Sequence, residues 1–476
     1  MQQLQEKPGV KIGLETHVQL NTKSKIFCPC QNPSVLKEEP QPNTLTCPTC
    51  LGMPGSKPSF NKHVLLLALK IALALDCHIP DSIFFSRKTY FYPDMAKNYQ
   101  ITQYEMPLAK GGSIRITAKG KEKEIRIRRI NLEEDPSKLV HSEKCCLADY
   151  NRSGIPLAEI VTEPDFSSPE EARLYVQKLE TIMEYLHAYD SSSLAVIKSD
   201  ANISLSGGER VEIKNITGAK EVEQALKYEI IRQQNMLRMG KKIEMSTVSW
   251  QPELGITKLM RAKETEEDYG YIFDPDLTAI NTVRYIPGVQ KELPEMPDAK
   301  HERFIRSYRI SDKLAESLVS EKELADLFEK AAHIDARAAA SFIAGYLKKT
   351  LNWSNLKYRN AGLEDRWVLD IIGMLKNRRI TDRNAEMAAR KMVEEKLSPK
   401  QIVEKHGMER EDATTNTEIS IERLLEKNKK AVSDYRRGEK KALHFLVGLA
   451  MKETRGKIDS LELKNLIIRA IRNKRN

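Results

Sequence analysis

At 476 residues the chain is longer than one ordinary core, and about two to four domains are expected. A hydrophobic fraction of 40% beside 30% charged residues fits a folded globular protein and excludes a disordered or fibrous chain. The longest apolar run, residues 64–75, is broken by Lys70 and falls short of the ~20 residues that span a bilayer; with a polar N-terminus, a cytoplasmic location away from membranes is expected. The net charge of +10 is uneven: residues 421–476 hold 16 Lys/Arg against 7 Asp/Glu, a basic segment that would attract a polyanion.

Residues 10–20 alternate with period two. Val10, Ile12, Leu14, Val18 and Leu20 share one face; Lys11, Gly13, Glu15, His17 and Gln19 share the other, which predicts a half-buried strand. A helix follows over residues 61–75. Shorter strands are expected at 114–116, 124–130, 158–162, 201–205 and 210–213, with hairpin turns at Lys110-Gly111-Gly112 and Ser206-Gly207-Gly208. Ser168-Pro169-Glu170-Glu171 has the cap, proline and acids of a helix start, and that helix is expected to run to about Tyr189. A third helix spans 222–239 and stops at Gly240. Residues 289–297 read as a linker, and everything beyond is helical, with a weaker break at 407–417. The expected fold class is α+β: a largely antiparallel-sheet domain at 1–294, an all-α helical domain at 295–410 and a small, basic all-α tail domain at 411–476.

Three clusters carry chemistry. Cys28, Cys30, Cys47 and Cys50 form two close pairs separated by a loop. Four thiolates suit tetrahedral Zn²⁺, and with no open position the ion would be structural. Second, several strands put carboxylates on one face: Glu15 with His17, Glu159 with Glu163 on the strand at 158–163, Asp200 with Asn202, and Glu212 with Lys214. Converging carboxylates repel, and a hard cation such as Mg²⁺ relieves that repulsion while holding phosphate oxygens. The chain has neither a Walker-type loop nor a G-x-G-x-x-G motif, so any ATP would lie on a metal-lined sheet. Third, basic and aromatic residues interleave at Arg87, Lys88, Tyr90 and Tyr92, where phosphate contacts and stacking on the nucleotide are expected.

These residues stand in longer runs: Lys11-Ile-Gly-Leu-Glu-Thr-His17, Cys47-Pro-Thr-Cys-Leu-Gly-Met-Pro-Gly55, Arg87-Lys-Thr-Tyr-Phe-Tyr-Pro-Asp94, Leu132-Glu-Glu-Asp135, Asp200-Ala-Asn202 and Glu212-Ile-Lys-Asn215. Over residues 10–277 they closely resemble the B subunits of the tRNA-dependent amidotransferases, the GatB/GatE family. The remainder is similar to that family's helical domain and YqeY-like tail. The resemblance implies a catalytic "cradle" with a glutamine-synthetase-like fold. It implies ATP-dependent conversion of Asp or Glu misattached to tRNA(Asn) or tRNA(Gln) into Asn or Gln through an acyl phosphate. Ammonia would come from an amidase partner, the A subunit, and a small C subunit would complete the assembly. It also implies that Glu15, His17 and Glu134 hold Mg²⁺. Four places depart from the family pattern: Asn131 stands where the family commonly has His, Pro136-Ser137 where Ala-Gly is usual, Lys198-Ser199 where Arg-Cys is usual, and Gly270 where Arg is usual. No inserted domain separates the cradle from the linker, as it does in the E-type proteins that make only Gln-tRNA. A zinc-containing tRNA-binding homologue without activity is the other reading these departures leave.

Overall fold

The computed structural model describes residues 9–142, 144–206, 208–262, 270–413 and 415–473. The chain divides into two compact units, one ending at Met296 and the other starting at Pro297.

The first unit is built on a nine-stranded sheet. Its strands are β1 (Val10–Gln19), β2 (Ala109–Lys110), β3 (Ser113–Ala118), β4 (Lys121–Glu134), β5 (Pro156–Thr162), β6 (Ile197–Leu205), β7 (Val211–Thr217), β8 (Ser246–Gln251) and β9 (Ile256–Ala262). The spatial order is β9-β8-β7-β6-β1-β5-β4-β2, with β3 also paired to β4. All pairs are antiparallel except β7–β8, which a helical crossover joins as parallel strands require. Helix α1 spans Lys62–Ala74, α2 spans Pro169–Tyr185, and α3, the crossover, spans Ala219–Arg238.

The alternation read in residues 10–20 is the alternation of burial. Ile12, Leu14 and Val18 of β1 pack in one core with Tyr175, Val176 and Leu179 of α2 and Val222, Ala225 and Leu226 of α3. Each large apolar side chain buried this way contributes about 1.5–3 kcal/mol. Helices cover that face, and the face bearing Glu15 and His17 points the other way.

Local chemistry explains the element ends. Ser168 Oγ accepts the Glu171 backbone N–H at 3.3 Å and starts α2. The helix stops at Tyr185, earlier than expected, because His187 takes a left-handed φ of 54° and the Ala188 N–H turns back to Met183 O at 2.9 Å. Gly111-Gly112 is a kink rather than a hairpin turn. The segments on either side of it, β2 and β3, both pair with β4. The hairpin between β3 and β4 turns instead at Lys119-Gly120, where φ values of 52° and 75° suit a type I′ turn. Gly207 of the other expected turn lies outside the described residues; its flanking strands β6 and β7 do pair antiparallel. A separate three-stranded sheet joins Ser86–Thr89 in its centre to Gly270–Phe273 and Tyr99–Thr102.

The second unit is helical throughout and has two apolar clusters. One gathers Phe304, Phe328, Phe342, Ile371 and Met392. The other gathers Ile421, Leu424, Leu446, Leu463 and Ile467 in the basic C-terminal part. Together the units make the mixed α+β class expected from the sequence. No helix among the described residues is long and apolar enough to cross a membrane.

Candidate active site

Strand register assembles the site on the open face. His17 on β1 lies opposite Glu159 on β5 and Lys198 on β6. Glu15 lies opposite Asp200 on β6, and Asn131 on β4 lies opposite Glu159. His17 Nε2 is 3.9 Å from Glu15 Oε1, 4.0 Å from Glu159 Oε1 and 3.3 Å from Glu133 Oε1. Donor atoms of Glu15, His17 and Glu159 all lie within 4.8 Å of one another. In an octahedron of ~2.1 Å bonds, cis ligands stand ~3.0 Å apart and only a trans pair reaches ~4.2 Å, so a shared Mg²⁺ ion would draw His17 closer to at least one of the two carboxylates.

The protonation of this cluster has a physical cause. Burial, helped by the charge of Glu159, pushes Glu15 up to about 8 against the pull of His17. Burial opposes a charged His17, yet its hydrogen bond to Glu133 and the charges of Glu133, Glu15 and Glu159 prevail and raise it to about 10. Three carboxylates crowd one imidazole, and positive charge is what the cluster lacks.

Asp200 and Glu212 form a second group. Lys214 Nζ lies 3.0 Å from Asp200 Oδ2 and 3.5 Å from Glu212 Oε1. Asp200 Oδ1 also accepts the Asn215 N–H at 3.0 Å. Burial disfavours both charged forms, but Lys214 and His17 hold Asp200 below the usual carboxylate range, while Asp200 and Glu212 hold Lys214 above the usual lysine range. Lys198, opposite His17, is lowered by burial and by the nearby Arg152 guanidinium. The floor thus sets basic side chains around an acidic centre.

Glu134 is not part of this centre. Of the three consecutive acids, Glu133 and Asp135 meet His17 and Gln19 of the open face, while Glu134 between them points the other way, because successive residues of a strand point to opposite faces. Glu133 reaches His17. Glu134 is buried, pairs with Lys97 Nζ and accepts the Ile101 N–H at 2.8 Å. Asp135 accepts from Gln19 Nε2 at 2.7 Å and lies 3.5 Å from Arg152 Nε. The alternation was readable: Asn131 and Glu133 share parity, and Glu134 does not. Glu163, expected on the Glu159 face, instead pairs with Arg128 at 2.8 Å because a bulge at Val161/Thr162 shifts the register.

The basic–aromatic segment is more occupied than its composition implies. Arg87 Nε donates to Asp274 at 2.8 Å, its Nη2 donates to Asp276 at 2.9 Å, and its guanidinium stacks on Tyr99 at 4.4 Å. Those interactions hold the small sheet together. Lys88 pairs in register with Gln100 and Tyr271, and the Tyr90 N–H bonds Asn98 O at 3.2 Å. Tyr92 and Phe91 are exposed at the loop tip. This sheet meets the floor at the end of β4, where Gln100 Nε2 donates to Glu134 O at 2.7 Å and Thr102 Oγ1 lies 3.4 Å from Glu133 Oε2.

The four cysteines also converge, with all sulfurs within 4.8 Å of one another. Cys47 and Cys50 sulfurs are 3.9 Å apart, close to the ~3.8 Å edge of a tetrahedron with Zn–S bonds of ~2.3 Å. Hydrogen bonding from Cys28, aided by Lys25 Nζ 3.7 Å away, holds Cys50 down at about 5 against burial. Lys25 also donates to Leu45 O at 2.9 Å, and Asn151 Oδ1 accepts the Leu45 N–H at 2.7 Å. The cluster therefore fastens its loop to the segment that leads into β5 and Glu159. Gly52 of this loop (φ +64°) abuts Lys97, where an added Cβ would fall 2.9 Å from Lys97 Cα.

Two family profiles match the chain: the GatB/GatE catalytic domain over residues 10–286, and a GatB domain over residues 326–471. Among similar proteins is the B subunit of the aspartyl/glutamyl-tRNA(Asn/Gln) amidotransferase of Methanospirillum hungatei, 42% identical over 96% of this chain and 97% of its own length. The protein of the same name from Sulfolobus acidocaldarius is 42% identical over 96% of this chain and 98% of its own, and that of Methanococcoides burtonii 39% identical over 98% of each. With a sheet floor that gathers acids and one histidine, a four-cysteine knuckle and relatives matched along nearly their whole length, the chain belongs to the GatB/GatE family.

Proposed function

We propose that this protein is the B subunit of a heteromeric ligase that amidates Asp or Glu esterified to tRNA(Asn) or tRNA(Gln), using ATP and ammonia from a partner amidase, with a small C subunit in the complex. The observation that carries the reading is the convergence of Glu15, His17 and Glu159 on the open sheet face. The names of the relatives supply the substrate class.

The chemistry explains the acids. A side-chain carboxylate is a poor acyl electrophile at neutral pH; phosphorylation turns one oxygen into a leaving group that ammonia displaces. Glu15, His17 and Glu159 would hold Mg²⁺, with Glu133 orienting the imidazole. The ion would neutralise phosphate charge on ATP. Lys198 and Arg152 provide positive charge beside the cluster, suited to a phosphate or to the substrate carboxylate. Lys214 keeps Asp200 ionised and pairs with both Asp200 and Glu212 on the other flank. The loop at Tyr92 offers an exposed ring for stacking, while Arg87 and its acids shape that loop. Zn²⁺ at Cys28, Cys30, Cys47 and Cys50 would have a structural role.

The basic C-terminal helices are the tRNA-binding part of this proposal. Lys427, Lys429, Lys430 and Lys441 line an open groove of about 740 Å³ together with Phe445, a mostly exposed aromatic ring. The test is amidation of each misacylated tRNA by the complex purified with its amidase. The account expects product only with ATP, Mg²⁺ and misacylated tRNA together; product without ATP would overturn it.

A further inference from the structure

The acidic centre has a fourth member that its charge does not advertise. Asn131 is 3% exposed. Its Nδ2 donates to Glu159 Oε2 at 2.6 Å. A carboxylate only accepts, so the amide orientation is fixed by chemistry: Nδ2 faces Glu159 and Oδ1 faces elsewhere. That Oδ1 is buried and has no hydrogen-bond partner among the described residues. A buried amide oxygen left unpaired costs about 1–3 kcal/mol, and only a donor or a cation can satisfy it. Asn131 is the register partner of Glu159, and two residues on from it Glu133 touches His17. Asn131 is therefore joined to the three candidate ligands through one of them, Glu159, with its orphan oxygen on the other arm of the same amide.

Resting on the cation reading given above, we propose that Asn131 is a neutral oxygen donor of the Glu15–His17–Glu159 site, acting on the ion directly or through its water, and that it sets which ion the site prefers. Its amide does two things at once. Nδ2 occupies Glu159 Oε2 and leaves Oε1 to the ion. Oδ1 adds an oxygen donor without adding negative charge to a centre that already crowds three carboxylates. An imidazole at this position would supply a second nitrogen and favour Zn²⁺, Co²⁺ or Ni²⁺. An amide oxygen favours Mg²⁺ and Mn²⁺.

The test uses the full-length chain with its cysteine cluster zinc-loaded, and reads free Mn²⁺ by electron paramagnetic resonance during titration. Wild type, Asn131→Leu, Asn131→His and Glu159→Gln are compared, with thermal unfolding as the check on folding. The expected result is Mn²⁺ binding about 10–100-fold weaker in Asn131→Leu, the size typical for loss of a partner that orients metal ligands. Asn131→His should retain binding but shift the Zn²⁺-to-Mn²⁺ preference at least tenfold toward Zn²⁺. A folded Asn131→Leu that binds Mn²⁺ within twofold of wild type overturns the proposal, as does Asn131→His with an unchanged preference. If Asn131→Leu does not fold, Asn131→His carries the test alone. Wild type with no Mn²⁺ site lost in Glu159→Gln would overturn the cation reading itself, a result distinct from the others.

Discussion

His17 Nε2 meets Glu133 Oε1 at 3.3 Å, while Glu134, one residue further on, is buried against Lys97. Two adjacent glutamates thus have opposite tasks, one facing the chemistry and one locking the strand end. Their substitutions should separate. Glu133→Gln should lower ATP-dependent amidation at least tenfold with little change in melting temperature. Glu134→Ala strands the buried Lys97 ammonium and should cost about 3–5 kcal/mol of stability. Adding Lys97→Met to Glu134→Ala should recover part of that loss. Thermal unfolding and amidation rates of the four proteins check this; equal melting temperatures for Glu133→Gln and Glu134→Ala would contradict it.

The cysteine knuckle should behave as a structural zinc site. Metal analysis of the purified chain should find about one zinc per molecule. Cys47→Ser or prolonged chelation should lower the melting temperature and, by loosening the loop that leads into β5, reduce amidation as well. A chelated protein of unchanged stability would count against the assignment.

Gly52 is sterically committed. Its φ of +64° and the 2.9 Å approach of a would-be Cβ to Lys97 Cα leave no room for a side chain. Gly52→Ala should destabilise by about 1–3 kcal/mol, measured by chemical unfolding.

The basic tail should contribute counterion-dependent affinity. Replacing Lys427, Lys429, Lys430 and Lys441 by Ala should weaken tRNA binding. The slope of log affinity against log salt should become shallower by about 0.7–0.9 for each phosphate no longer neutralised. An unchanged slope would remove the groove at Phe445 from the tRNA path.

Periodicity made much of the first unit legible. The alternation of residues 10–20 identified both the buried face of β1 and the face bearing Glu15 and His17, because a half-buried strand writes its two environments into alternate residues. Caps such as Ser168 marked helix starts for the same local reason. What escaped was non-local. Nothing near Gly111-Gly112 shows that β2 and β3 share one partner strand. Nothing near Arg87 shows that Asp274 and Asp276, almost two hundred residues away, neutralise it. Glu134 was misplaced for a different reason: the expectation came from resemblance, whereas strand parity from Asn131 points to Glu133.

The most direct measurement follows the terminal phosphate. Radiolabelled ATP is mixed with the complex, Mg²⁺ and misacylated tRNA, with ammonia withheld, in wild type and in Glu159→Gln. The account predicts ATP cleavage that requires the misacylated tRNA in wild type and is lost in Glu159→Gln. Cleavage that ignores the amino acid on the tRNA, or that survives in Glu159→Gln, would contradict it.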